Sequence, residues 1–256
     1  MPLVETEAIV LRTYRLGEAD KIVSLFTRQM GRVRAVAAGA QRPKSRYGGT
    51  LESLSYVRLW LFERENRDLR RLNSVEIIES FFDMQKDYAT HLSGQFVVEV
   101  AEQLLPEREV NERAFRLLLV VLRSLKRSHE TARPLVYFDY WILRLGGFLP
   151  DLTVCAGCGR TFGDEVAYYA PGSAALFGRE CRGTAGSITA GGVAGQSISA
   201  QSLALAQKYC GALLEKWMAD TEKLHGLSDI RGFLESIIEA HVERKLITRG
   251  LMTEVI

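Results

Sequence analysis

Tyr56-Val-Arg-Leu-Trp-Leu-Phe-Glu63 alternates along its length: Val57, Leu59 and Leu61 fall on one face, Arg58, Trp60 and Phe62 on the other. A period of two places successive side chains on opposite sides of an extended chain, so this stretch predicts a strand with one buried face. Four neighbours read the same way, at residues 6–14, 21–28, 32–39 and 69–78. Gly17, Gly31, Gly48-Gly49 and Asn66 punctuate them, as turns between strands require. Five short strands in about 75 residues predict a small Greek-key barrel of the OB type, and an SH3-like barrel has nearly the same pattern.

The same region carries a one-signed charge. Residues 22–51 hold Arg28, Arg32, Arg34, Arg42, Lys44 and Arg46 and no Asp or Glu. Over residues 1–80 the balance of Lys/Arg over Asp/Glu is +4, although the whole chain of 256 residues is only +2. A local basic field on a β-module points to an anionic partner, with nucleic acid the leading candidate; the bland alternative is a solvated face.

Beyond Phe81 the pattern turns helical. Leu92, Phe96, Val97, Val100, Ala101 and Leu104 form one stripe. Residues 114–125 are apolar nearly all round, which predicts a buried helix. Residues 135–145 are rich in aromatics (Tyr137, Phe138, Tyr140, Trp141) and end at Gly146-Gly147 and Pro150. An irregular segment with Gly and Cys follows to about Gln196. Ser199 then caps a helix expected to reach Met218, and Ser228 caps the last, with Ile230, Phe233, Leu234, Ile237, Ile238 and His241 on one stripe. His241, on that apolar stripe, is expected to be a hydrogen-bonded core residue. The Gly-rich residues 183–195 lack a following Lys-Ser/Thr and read as a loop, not a phosphate cradle. The expected architecture is α+β and multidomain: a barrel over residues 1–80, and an α-helical domain over 81–256 with a Cys-containing insert at about 150–196.

Composition excludes several classes. Hydrophobic residues make up 47% and charged residues 25%, values that suit a globular core. Glu5, Glu7 and Arg12 interrupt any signal-peptide core, and the longest aliphatic run, residues 117–122, is too short to span a bilayer. Four cysteines are too few for a disulfide scaffold, so the expected compartment is the cytoplasm, with thiols free or metal-bound. No membrane partner is implied. Neither a His-Glu-x-x-His nor a Gly-x-Ser-x-Gly nor a Walker loop occurs, and no catalytic residue is assigned.

Cys155-Ala-Gly-Cys158 has the spacing of a zinc knuckle, in which two thiolates grip one tetrahedral ion. A second pair would strengthen the signal, but the chain reads Phe177-Gly178-Arg179-Glu180-Cys181, with Gly where the first partner would stand. Three readings are open: zinc held by Cys155, Cys158, Cys181 and an unnamed fourth ligand such as water or a carboxylate; a loop that has lost its metal; or a redox pair, for which the usual βαβ context is missing. A metal here would be structural. Cys210, on an expected helix, reads as core packing.

These residues resemble the RecO recombination mediator family of bacterial DNA repair. The likeness covers essentially the whole chain: Glu7-Ala-Ile-Val-Leu-Arg12, Leu16-Gly-Glu-Ala-Asp20, Gly31-Arg32 leading to Gly39, Leu145-Gly-Gly-Phe-Leu-Pro-Asp151 running into Cys155-x-x-Cys158-Gly159, and residues 238–249 with His241 and Lys245. It implies an N-terminal OB-fold, a helical bundle and a zinc-ribbon-like insert. It also implies binding of single- and double-stranded DNA, strand annealing, recombinase loading, and partnership with RecR and with the C-terminal tail of single-strand-binding protein, in a cytoplasmic, nucleoid-associated protein. Members that bind zinc have Cys where this chain has Gly178.

Annealing needs phosphate repulsion screened while bases stay free, and no covalent catalysis. Arg32, Arg34, Arg42, Lys44 and Arg46 are the first candidates for phosphate contact, Arg70 and Arg71 the second. Tyr14, Phe26, Tyr47, Tyr56, Trp60 and Phe62 are candidate stacking platforms, against a competing role in the core; Tyr47, beside Gly48-Gly49, is the one expected to be exposed. The aromatic cluster at Tyr137–Trp141, near Arg133 and Arg144, is expected to offer the groove for the single-strand-binding protein tail. Two other functions stay open: a protein-interaction scaffold with an incidental basic face, and an RNA-binding zinc-ribbon enzyme.

Overall fold

A computed structural model describes residues 3–62, 69–170, 172–183, 196–209, 211–220 and 227–252. Five strands, β1 (Leu3–Leu16), β2 (Asp20–Thr27), β3 (Gly31–Ala37), β4 (Ser55–Phe62) and β5 (Leu69–Ser80), close into a barrel in the order β1-β2-β3-β5-β4. All pairings are antiparallel except β3 with β5, which run parallel. This is the OB topology, and it decides between the two barrels that strand pattern alone leaves open. The expected alternation holds in β4, where Val57, Leu59 and Leu61 are wholly buried while Arg58 is exposed. They meet Val10, Val23, Leu25, Val33, Ala35 and Leu72 in one apolar cluster. The register of β1 slips between Val10 and Arg12, the mark of a bulge, which bends this long strand so that it pairs with both β2 and β4.

Two helices share a unit with the barrel: α1 (Tyr88–Leu104) and α2 (Glu112–Ser128). Each starts on a capping side chain, Asp87 accepting from Thr90 N–H and Asn111 from Ala114 N–H. The second helix is less apolar than expected: Phe115, Leu118, Val121, Leu122 and Leu125 are buried, but Arg113, Arg116 and Arg127 are exposed. Phe115 packs over the barrel's outer face, 5.9 Å from Phe26 and 6.1 Å from Tyr56 between ring centres. Full burial of such a ring contributes about 1.5–3 kcal/mol.

The segment joining α1 to α2 returns to the barrel. Among the described residues the parallel β3–β5 ladder pairs Arg34–Val36 with Leu69–Arg71, and the start of β3 meets the segment after α1. There Arg108 N–H donates to Arg32 O at 2.9 Å. Gly31, at φ +66°, makes room for this return: a Cβ on it would stand 2.1 Å from the Glu109 carbonyl oxygen.

The last described helix, α7 (Ile247–Met252), also belongs to this first unit, Met1–His129 with Leu246–Ile256. Its first amides are held by Glu99, a buried carboxylate of α1 that accepts from Ile247 N–H and Thr248 N–H, each at 3.0 Å. A negative charge at a helix N-terminus satisfies orphan donors and meets the positive end of the helix dipole.

The second unit, Glu130–Lys245, contains α3 (Ala132–Gly146), β6 (Ala167–Tyr169), β7 (Gln196–Ile198), α4 (Ala200–Tyr209), α5 (Leu214–Met218) and α6 (Leu227–Val242). The single helix expected from Ser199 to Met218 is two, and Trp217 of α5 folds back to stack on Tyr209 of α4 at 5.6 Å. Ser228 lies inside the first turn of α6, not before it. The Ile230–Ile238 stripe is buried as expected, but His241 is exposed and stacks on Phe148 at 3.6 Å. The expectations for residues 184–195 and Cys210 lie outside the described residues.

Substituting Gly31→Ala should cost about 3 kcal/mol or more in urea unfolding, because it adds left-handed backbone strain to a collision with main chain. A second test concerns Tyr56. Burial, then its hydrogen bond to Glu7 at 2.7 Å, push the phenol from an ordinary 10.0 up to about 12. The unfolded chain therefore releases this proton first, so the stabilisation is complete below about pH 10 and is lost as pH rises toward about 12. Stability measured across that window should fall less steeply in Tyr56→Phe.

Candidate nucleic-acid interface and cysteine centre

The basic stretch divides into two parts. On β3, Arg32 and Arg34 reach the same carboxylate, Glu107 Oε1, at 3.3 and 2.9 Å. The acid missing from residues 22–51 is thus supplied from far along the chain. The two arginines are not equivalent. Arg32 also donates from Nε to Leu105 O at 2.9 Å, and its side chain is only 17% exposed, so it serves the barrel's seam. Arg34 is 47% exposed, and a pair that open to water is worth about 0–1 kcal/mol, little enough for a phosphate to displace.

Arg42, Lys44 and Arg46 lie on the connection between β3 and β4, a series of tight turns over residues 38–54. All three are exposed, and none forms an ion pair among the described residues. The connection is anchored to the β1–β2 turn. Gly39 N–H donates to Asp20 Oδ1 at 2.7 Å, and Gln41 Nε2 donates to Asp20 O at 2.6 Å. Arg15, which sequence reading passed over, is exposed at this turn, opposite Lys21 in the β1–β2 register. Its position just before Gly17 was the available signal.

Tyr47 corrects the expectation of an exposed platform. It is 1% exposed and sits in the barrel core, its hydroxyl donating to Leu72 O at 3.1 Å. Arg46 covers it, with the guanidinium 4.9 Å from the ring centre and Nη2 donating to the hydroxyl. The loop tyrosine is the peg that fixes the loop. Arg70 also differs from Arg71: it pairs in register with the inward Ala35 and is half-buried, whereas Arg71 pairs with Val36 on the face that carries Arg34 and is exposed. Among the aromatic candidates Phe26 and Tyr56 are buried, Trp60 and Phe62 half-buried, and Tyr14 exposed.

The aromatic cluster of α3 is not a groove. Tyr137 and Phe138 are buried, and Arg144 lies over the half-buried Tyr140 and Trp141. An open cavity of about 500 Å³ lies elsewhere in this unit, walled by Phe148, Leu149, Pro150, Ile237, Ala240 and His241.

In the cysteine centre, two tight turns face each other. In the first, Gly159 N–H closes on Cys155 O at 2.8 Å, and in the second Cys181 N–H closes on Gly178 O at 3.0 Å. The sulfurs of Cys155, Cys158 and Cys181 all lie within 4.8 Å of one another. Gly178 N–H donates to Cys155 Sγ at 3.3 Å, in the manner of a backbone amide supporting a thiolate. Burial raises the Cys155 thiol, but amides of Gly178, Cys158 and Gly157 outweigh it and bring it down to about 7. Cys181 goes the other way, to about 11, because its hydrogen bonds to Cys158 and Cys155 favour the protonated form. Three convergent sulfurs with one already stabilised as thiolate form a donor set that suits a soft divalent ion such as zinc.

An OB-type barrel with a basic loop, followed by helices and a three-sulfur centre, defines a class of mixed α+β multidomain protein. Comparison with known proteins narrows it. The family model described as "Recombination protein O N terminal" matches residues 1–81, and "Recombination protein O C terminal" matches residues 85–249. A DNA repair protein RecO of Koribacter versatilis (strain Ellin345) is 37% identical over 246 residues, 96% of each chain. Its namesake from Anaeromyxobacter sp. (strain K) is 28% identical over 262 residues, covering 100% of this chain and 98% of its own. The chain belongs to the RecO family of DNA repair proteins. No helix among the described residues is long and apolar enough to cross a membrane.

Proposed function

We propose that this chain is a recombination mediator that binds single- and double-stranded DNA on its barrel, anneals complementary strands and assists recombinase loading. The observation that carries the reading is the exposed set Arg42, Lys44 and Arg46, free of ion pairs among the described residues, on an OB barrel of a RecO family chain. Arg34, Arg71 and Arg15 extend it, while Arg32, Arg70 and Tyr47 hold the surface in place. Flexible cations on an anchored loop screen phosphates without reading bases, which leaves the bases free to pair. By family resemblance the partners are RecR and the acidic-aromatic tail of single-strand-binding protein; the open cavity at Phe148 and His241 supplies an apolar wall for such a tail. No catalytic group is needed for this work, and the protein acts in the cytoplasm on the nucleoid. We assign a structural Zn²⁺ to Cys155, Cys158 and Cys181.

If about four phosphates are contacted, log Kd against log salt should have a slope near 3 in magnitude for single strands. Charge reversal of Arg42, Lys44 and Arg46 together should weaken all sequences alike and flatten that slope, whereas Glu107→Gln should strengthen binding by releasing Arg34. A slope near zero in the wild type refutes the electrostatic account.

The metal assignment has its own test. A Cβ on Gly178 would meet only the tip of Arg160 at 3.4 Å and the carboxylate of Glu165, so a side chain is admitted there. Gly178→Cys should tighten zinc binding and raise Tm when zinc is present, because binding to the native state alone stabilises it. Wild-type protein that takes up no zinc, with a Gly178→Cys variant that gains none, overturns the assignment.

A further inference from the structure

The gap at Gly178 in the cysteine centre is bordered by charge. Resting on the zinc assignment above, we propose that Glu165 is the fourth ligand of the metal, in place of the sulfur that Gly178 cannot supply. A Cβ built on Gly178 lies 3.7 and 3.8 Å from the two carboxylate oxygens of Glu165. A cysteine at 178 would therefore direct its sulfur into the space this carboxylate borders. The three sulfurs form the group within 4.8 Å, and Glu165 stands outside it. Its side chain is 32% exposed, and in the proposed site one of its oxygens turns inward.

Charge favours the exchange. Zinc with three thiolates carries about −1, and a fourth anionic ligand brings it to the −2 of a four-cysteine ribbon. Arg160 stands beside that added charge: its Nη2 is 3.2 Å from both Glu165 oxygens, and its Nη1 is 3.8 Å from Glu180. One oxygen of Glu165 goes to the metal while the other keeps the guanidinium, which orients the carboxylate as an outer partner commonly orients a ligand. The hairpin that carries Cys155 also fixes Arg160, since Cys155 N–H donates to Arg160 O at 2.8 Å. First knuckle, arginine and carboxylate are thus linked by hydrogen bonds. Water would fill the same corner without charge, and would leave Arg160 and Glu165 paired only with each other and Glu180.

The test uses the full chain, zinc itself, and competition with a chromophoric chelator, with Co²⁺ absorption as a second readout. Glu165→Gln should weaken zinc about tenfold or more, a loss typical of disturbed metal ligation, and should alter the tetrahedral Co²⁺ bands. In a Gly178→Cys background the same change should be silent, because the sulfur then holds the corner. Equal zinc affinity in wild type and Glu165→Gln overturns the proposal, as does an equal loss in both backgrounds, which marks Glu165 as a support of the fold. A wild type that binds no zinc removes the metal assignment itself, and this inference with it, and is told apart by the absence of any Co²⁺ or Zn²⁺ signal.

Discussion

The barrel depends on how the early part of β3 is covered. A five-stranded sheet closes only if β3 meets β5, and among the described residues that ladder pairs Arg34–Val36 with Leu69–Arg71. A strand edge left open exposes backbone groups of the kind that recruit foreign strands. Here the chain supplies its own cover: the stretch after α1 lays Arg108 against Arg32 and crosses Gly31 at a distance no side chain permits. The same crossing brings Glu107 to Arg32 and Arg34. One backbone approach thereby closes the sheet, docks the start of α2 and sets the charge of the outer face.

Strands and helices were readable because their signals are local. Alternation in β4 and the stripes of α1 and α6 report on neighbours two to four residues away, and burial matches them. The OB topology itself was half readable, since strand pattern does not say which edges meet. What failed to show is long-range. Glu107 lies too far from Arg34 in sequence for an acid-free window to detect it. Tyr47 has the setting of an exposed loop residue, and only the barrel's interior, with Leu72 O as acceptor, explains its burial. Arg70 and Arg71 are identical in type and adjacent, and the β3–β5 register alone separates them. The break between α4 and α5 contains Gly211, a poor helix former, and Trp217 stacks on Tyr209 beyond it, a contact invisible to periodicity.

At the cysteine centre, spacing was legible and completeness was not. Cys155-x-x-Cys158 and Cys181 come together as their pattern suggests. Sequence marks Gly178 as a gap, yet the gap is bordered by Glu165 and by Arg160, the latter carried on the hairpin between Val154 and Thr161, and neither is marked by a motif.

The grip of Glu99 on α7 bears on how the protein is made. Residues 130–245 form a unit threaded between two parts of the other, so the barrel's own unit is finished only by a helix that leaves the ribosome more than a hundred residues after α2. Until then Glu99 holds a carboxylate prepared for amides that do not yet exist. Vectorial synthesis therefore delivers the closed barrel and α1 before the helix whose amides Glu99 accepts.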